Sequence, residues 1–352
     1  VADYDDRRLW PGTSPPVAGS PRRRRGSIRR TTVLDGLRPE GIGGPLVLVG
    51  TGRDLATGID GEAYLVDAAA TSVVVDVTAE RTVRQVVTEP PVAGLEHLAG
   101  TPAGSGFRRA LATSAPDLAA SGSLLHQLLD DTPPATLLAG SVLARLGLFD
   151  VYRAKRSPEL LADVCAGWVR GGSMLAAVAE TGIPLLGWGP PAPSLVPDDD
   201  ELAWHPVDAL APHSMRRRRL VDVWRGVGAD GRTASAPIRV DVRFRDTYGE
   251  DDGTETVVHE YGVTARIDPD AWTVLSVTAT PGPLPAPECP SAAASVDRVV
   301  GLPISELRDV VRAELSGPAT CTHLNDVLRS LADVQALWAG ASLARGERGP
   351  DA

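Results

Sequence analysis

The chain is expected to fold as an α+β protein, a tandem duplication of one strands-then-helices unit with a mostly helical and looped insertion between the copies. Three observations predict this. AGSVLAR at 139–145 returns as AGASLAR at 339–345, each behind a helix-like apolar pattern, SLLHQLLDD from Ser123 and CTHLNDVLR from Cys321. GFRRAL around Phe107 matches ELRDVV around Leu307, Gly100 matches Gly301, and RTVRQVVTEP, ending at Pro90, matches WTVLSVTATP, ending at Pro281. Arg53-Asp54 and Arg245-Asp246 fall at a similar offset, so the matches keep one order, which chance in an Ala-rich chain does not explain. Strands gathered ahead of helices in each half are the mark of the α+β class.

In order along the chain, residues 1–27 are rich in Pro, Arg and Gly without any period and are expected to be a disordered tail. The first repeat covers 28–149. Its runs LVLVG, EAYLV, TSVVVDV and RTVRQVV, bounded by Gly and Asp, predict antiparallel hairpins. From Gly94 to Arg145 the pattern turns helical, with Leu124, Leu125, Leu128 and Leu129 spaced for one buried face. Residues 150–213 have no counterpart and form the insertion. It opens with helix-like PELLADVCAGWV, breaks at GWGPPAPSLVPDDD, where Pro and Gly forbid regular structure, and closes with ELAWHPVDAL.

The second repeat, 214–345, predicts strands over 238–244, 256–267 and 273–279. Cys289-Pro290 opens a helix, since Pro suits the first helical position, and Gly301 stops it. A further helix starts near Ser305 with Ile304, Leu307, Val311 and Leu315 in register. The last starts at Thr320–Thr322 and buries Leu324, Val327, Leu328, Leu331 and Val334. Residues 346–352 are a tail.

Composition narrows the function. Apolar residues are 43% of the 352, enough for two domains each with its own core. No apolar run approaches the roughly 18 residues that span a bilayer, and VADYDDRRLWPGTSPPV lacks the apolar stretch of a signal peptide. A cytoplasmic protein without a membrane partner is expected. The net charge of −10 argues against nucleic acid as a partner. Of 35 basic residues only Lys155 is lysine, a skew that points to a GC-rich, actinobacterial type of bacterial genome. The runs Arg22–Arg25 and Arg216–Arg219 each precede an apolar-then-Asp segment (TTVLD, LVD), so a solvated or structural role is preferred to anion binding. Three cysteines make no disulfide framework. The sequence does not fix an oligomeric state.

Chemistry-bearing residues concentrate in the second copy. Cys289 and Cys321 each fall at an expected helix N-terminus, where the helix dipole lowers a thiol's pKa. His323 lies two residues from Cys321 and can reach the same point. The first copy has Gly122 and Leu124 where the second has Cys321 and His323. Cys165 reads as a core cysteine with an active-site lid as the other reading, and Trp204-His205 as a solvated loop with one packed Trp, with a substrate or metal contact as the other reading. His97, His126 and His213 have no supporting neighbours. G-x-S-x-G, P-loop and G-x-G-x-x-G patterns do not occur.

VHEY, PAPECPSAAAS and CTHL, spread over His259–Ala344, resemble the bacterial domain-of-unknown-function family 2889. RRRRGSIRRTTVLDGLRPEGIGGPLVL and DVCAGW resemble its longer, actinobacterial-looking members. CPSAAASVDRVVGLPISELRDVV followed by CTHLNDVL is distantly similar to the NifU-type iron–sulfur scaffold proteins. Cys289 then matches the scaffold's mid-chain Cys, and Cys321 with His323 its late pair, although Thr322 intervenes. That arrangement implies a strand beginning near His259 along the border of the same site.

Cys289, Cys321, His323 and His259 would form a tetrahedral zinc or ferrous set. A metal-free polar site with His259, His323 and Cys321 as catalytic groups, and purely structural roles, remain open. The expected function is a metal- or thiol/imidazole-dependent enzyme, of lyase or hydrolase type, on a small organic substrate. The alternatives are a metal or iron–sulfur carrier and a non-catalytic binding module. An enclosed site covered by the insertion favours the enzyme, an exposed one the carrier.

Overall fold

The structure, a computed structural model, describes residues 9–77, 81–148, 161–182, 184–185, 189–226 and 236–344. The start of the insertion, including Lys155, and the 346–352 tail lie outside the described residues.

Eight strands form one antiparallel sheet. They are β1 (Ser27–Leu37), β2 (Leu46–Thr57), β3 (Ala63–Asp76), β4 (Thr82–Glu89), β5 (Met215–Arg225), β6 (Ile238–Gly249), β7 (Glu255–Ile267) and β8 (Val274–Pro281). Their order is β4-β3-β2-β1-β5-β6-β7-β8. Each half is a meander, and the two meet where β1 and β5 run antiparallel, Ser27 opposite Trp224 and Gly36 opposite Met215. The class is α+β.

Branched and aromatic residues account for β2–β4 and β6–β8. β1 and β5 are different, because arginines stand where apolar residues would. Alternation along a strand sends neighbours to opposite faces. Arg29 accordingly pairs with Asp222 through two 2.6 Å hydrogen bonds, while Arg30 pairs with Asp54 through two at 2.8 Å. In β5, Arg216 pairs with Asp35 and Arg217 with Asp246. Arg216, Arg217 and Arg219 are buried. The arginine run of β5 is therefore a set of matched buried charges and not a solvated face.

The first half supplies α1 (Phe107–Ser114), α2 (Pro116–Ala120), α3 (Leu124–Asp130), α4 (Thr132–Leu138) and α5 (Ser141–Arg145). The insertion contributes α6 (Ser173–Thr181), and the second half α7 (Leu307–Glu314), α8 (Thr322–Ser330) and α9 (Val334–Ala344). The packing crosses the midline. α4 touches β5 as well as β1 and β2, and α9 reaches over β1, β2 and β3. The main core, with Phe244, Val296 and Leu324, takes in Ile28 and Ala56 of the first half, while a second core around Leu48, Phe107 and Leu129 belongs to the first half alone. Two halves expected to carry separate cores thus share one sheet and one of their cores.

Three expectations need correction. Residues 9–26 are not a loose tail but an ordered strap. Ser14 N–H donates to the Pro281 carbonyl at 2.9 Å, Val17 N–H to Glu260 at 2.8 Å, and Gly19 N–H to the Ser194 carbonyl at 2.7 Å. Single backbone bonds of this kind, with Arg23 on Asp200 and Trp204 Nε1–H on Ser20, hold a chain that has no period of its own. Second, the described part of PELLADVCAGWV is mainly turn, with a short 3-10 helix at Ala166–Trp168. Asp163, at φ 64, closes a local loop: its N–H donates to the Trp168 carbonyl and its carboxylate accepts from the Arg170 N–H. Third, the stretch from Cys289 is a 3-10 helix, Cys289–Val299.

Candidate functional site

Asp246 on β6 lies directly opposite His259 on β7, and the register shifts at the next residue, so that Thr247 faces Val257. This bulge leaves Val258 unpaired and turns both Val258 and His259 toward one cavity, which regular alternation would forbid. His323 sits in the first turn of α8, with Cys321 as its N-cap residue. The His259 and His323 rings stack with centroids 3.7 Å apart and planes at 22°. Asp246 Oδ2 is 3.3 Å from His259 Nδ1 and 3.7 Å from His323 Nε2. On the other side of its ring, His323 Nδ1 lies 4.0 Å from Cys321 Sγ.

Asp246 is completely buried, and burial alone would raise its carboxyl. Arg217 outweighs this with two hydrogen bonds, at 2.9 and 3.1 Å, and holds the carboxyl well below the usual carboxylate range. Arg217 also reaches Asp326 on α8 at 3.1 Å, tying the helix to the sheet beneath the site. Burial, together with the neighbouring His259, pushes His323 well below an ordinary imidazole, so it is neutral at physiological pH. His259 Nδ1 is buried without a hydrogen-bond partner, because its approach to Asp246 is not aligned for one. Catalytic hydrogen bonds are often poorly aligned before a ligand arrives.

The thiols reverse an expectation. Burial raises the Cys289 thiol well above its ordinary value and pushes Cys321 up to about 11. Helix N-termini do not win here, since desolvation of a buried thiolate outweighs a partial helix charge. Tyr261, also buried, faces Cys321.

His259, His323, Cys289 and Cys321 line a cavity of about 190 Å³. The insertion forms much of its wall, through Cys165, Trp168, Met174 and Leu185. It is fastened to the second half where Ala166 N–H donates to the Thr320 carbonyl at 2.8 Å and Ser173 bonds Glu288 twice. Gly167 is required at this seam, because a Cβ there would lie 2.8 Å from Cys289 Sγ.

Of the residues singled out from sequence, His259, His323, Cys289 and Cys321 all line this cavity. The donor atoms mutually within 4.8 Å are those of Asp246, His259 and His323, and among the described residues no cysteine joins such a set. Cys165, read as core, reaches the same cavity. His205 is a satisfied buried histidine, with Thr31 at 2.8 Å and Thr51 at 3.1 Å on its two nitrogens. Sequence reading missed Asp246, Arg217 and Tyr261 as site residues. The signal for Asp246 was present in the matched Arg-Asp dipeptides, one of which faces a histidine.

Fold and site together define a single-sheet α+β protein with an Asp–His–His–Cys cluster beside a largely apolar cavity. Residues 215–337 match the model of the family described as "Protein of unknown function (DUF2889)", so the half that carries the cluster is similar to that family. No curated protein and no solved structure matches the chain. No helix among the described residues is long and apolar enough to cross a membrane.

Proposed function

We propose that the protein is an enzyme of hydrolase or lyase type acting on a small organic molecule in this cavity. The carrying observation is the placement of Asp246 within 3.3 and 3.7 Å of two stacked imidazoles, one of them beside the Cys321 thiol. With Nδ1 toward Asp246, His259 keeps Nε2 turned away from the carboxylate, in the manner of a carboxylate-oriented general base. It takes a proton from water or from an acidic carbon of the substrate, and Asp246 stabilises the resulting imidazolium. His323 stays neutral meanwhile, since two stacked cations would repel. Turnover screening against neutral esters and dehydratable alcohols tests this. His259→Ala should lower kcat by about 10²–10⁴-fold without lowering Tm. Equal rates in wild type and variant would refute it.

A zinc or ferrous ion is the second reading, favoured by the 4.8 Å spacing of the three donors and by the partnerless His259 nitrogen. Arg217, doubly bonded to Asp246, works against it by placing a cation in the same shell. Elemental analysis separates the readings: stoichiometric metal, lost in His259→Ala, would favour the ion. A carrier in the manner of NifU-type scaffolds is less well supported, because the insertion covers the site.

The two halves are read as a tandem duplication with one surviving site. Supporting this, Arg29–Asp222 and Arg216–Asp35 are one exchanged pair, with Arg and Asp at identical spacing in β1 and β5. A bulge also follows Asp54, as one follows Asp246, but Asp67 stands opposite Asp54 where His259 stands opposite Asp246.

A further inference from the structure

The cavity's size and charge restrict what it can hold. At about 190 Å³ it exceeds the roughly 150 Å³ of a dry cavity that admits benzene. It falls short of the roughly 300–1,000 Å³ typical of sites for drug-sized ligands. One ring with a short substituent fits within it. The apolar lining includes Leu137, Leu161, Val164, Trp168 and Met174, an aromatic and a thioether among them, which suit a ring face and edge.

Among the described residues, the cavity lining offers no unmatched positive charge. Arg145 is the only cation among those residues that lines the cavity, and it is already matched: its NH1 donates to Glu250 at 2.9 Å, and its guanidinium covers the Tyr248 ring at 4.1 Å. The nearest charge behind the histidines, the Asp246 carboxylate, is itself bonded to Arg217. An anionic ligand would leave water for a largely apolar site with no available counter-ion among the described residues, which is costly. A neutral oxygen function, by contrast, can accept from or donate to the imidazoles and the thiol.

We infer that the ligand is a neutral, single-ring aromatic compound bearing one uncharged oxygen function, an alcohol, aldehyde or ester, directed at His259 and His323. This rests on the enzyme reading for its relation to turnover, but binding is measured separately. The probes are benzyl alcohol, methyl benzoate and benzoate at pH 7, titrated by ligand-observed NMR and by thermal shift. The two neutral probes should saturate, with benzoate at least about tenfold weaker. Met174→Trp fills the cavity and should abolish binding. Val164→Trp, at a rim position 40% exposed, does the same with less risk to the core. His323→Ala should keep binding within about tenfold, the worth of one hydrogen bond or less. Benzoate binding as well as the alcohol, no binding of either neutral probe to folded wild type, or unchanged binding in a folded filling variant would overturn the inference. If the neutral probes bind as expected and no turnover is found, the enzyme reading fails and the ligand class stands.

Discussion

At the residue scale, burial sets the behaviour of every titratable group near the site, and sequence spacing does not report burial. The histidine pair was legible because His259 and His323 carry their own chemistry. The cysteines were legible as neighbours but not in their protonation, because helix position is readable and desolvation is not. His205 gives a measurable consequence. Burial, with Arg53, Arg218 and Arg216 around it, lowers its pKa from 6.5 to about 4. The unfolded chain therefore binds the proton first as pH falls. Its contribution to stability is complete above pH 6.5 and is lost progressively down to about pH 4, up to about 3 kcal/mol. Urea unfolding at pH 7 and 4.5 should show this loss in wild type and a smaller one in His205→Gln, which keeps polar atoms for Thr31 and Thr51 without titrating. Equal losses in both would show that His205 is not the responsible group.

Elements differ in how plainly they were written. Strands β2–β4 and β6–β8 and the buried faces of α3 and α8 follow apolar periods, and each was expected near its observed place. β1 and β5, the centre of the sheet, were not expected as strands because their periodicity is carried by charge. The signal was the repeated Arg-Arg followed by Asp, which becomes meaningful only when the strands lie side by side. Arg29 and Asp222, 1% and 5% exposed at the side chain, make the strongest test. Arg29→Met leaves a buried carboxylate unpaired and should cost about 3–5 kcal/mol. Arg29→Met with Asp222→Leu removes both charges and should recover most of that loss in denaturant unfolding. A double variant no more stable than the single would argue that the arginine acts through its bonds to the Pro21 and Ala203 carbonyls instead.

For the whole molecule, the ordered sequence matches led to an expectation of two units, each with its own core, and not of halves that join edge to edge and pack α4 and α9 across the midline. Repeats report similarity within a chain and are silent about contacts between copies. One consequence concerns residues 214–345 expressed alone. They would leave the β1-facing edge of β5 open, and unpaired edges seek partners. Arg216 and Asp222 stand at the spacing needed to pair with the same residues of a second copy. Sedimentation should find a dimer, and a folded monomer would contradict the reading of β1 and β5 as equivalent strands.

The central claim is that catalysis resides at His259 in the second half and is absent from its counterpart in the first. Turnover of one neutral aromatic ester or alcohol by His259→Ala and by Asp67→Ala, each checked for unchanged Tm, tests it most directly. The account predicts a loss of about 10²–10⁴-fold in kcat for His259→Ala and wild-type turnover for Asp67→Ala. Full activity in His259→Ala with loss in Asp67→Ala would contradict it.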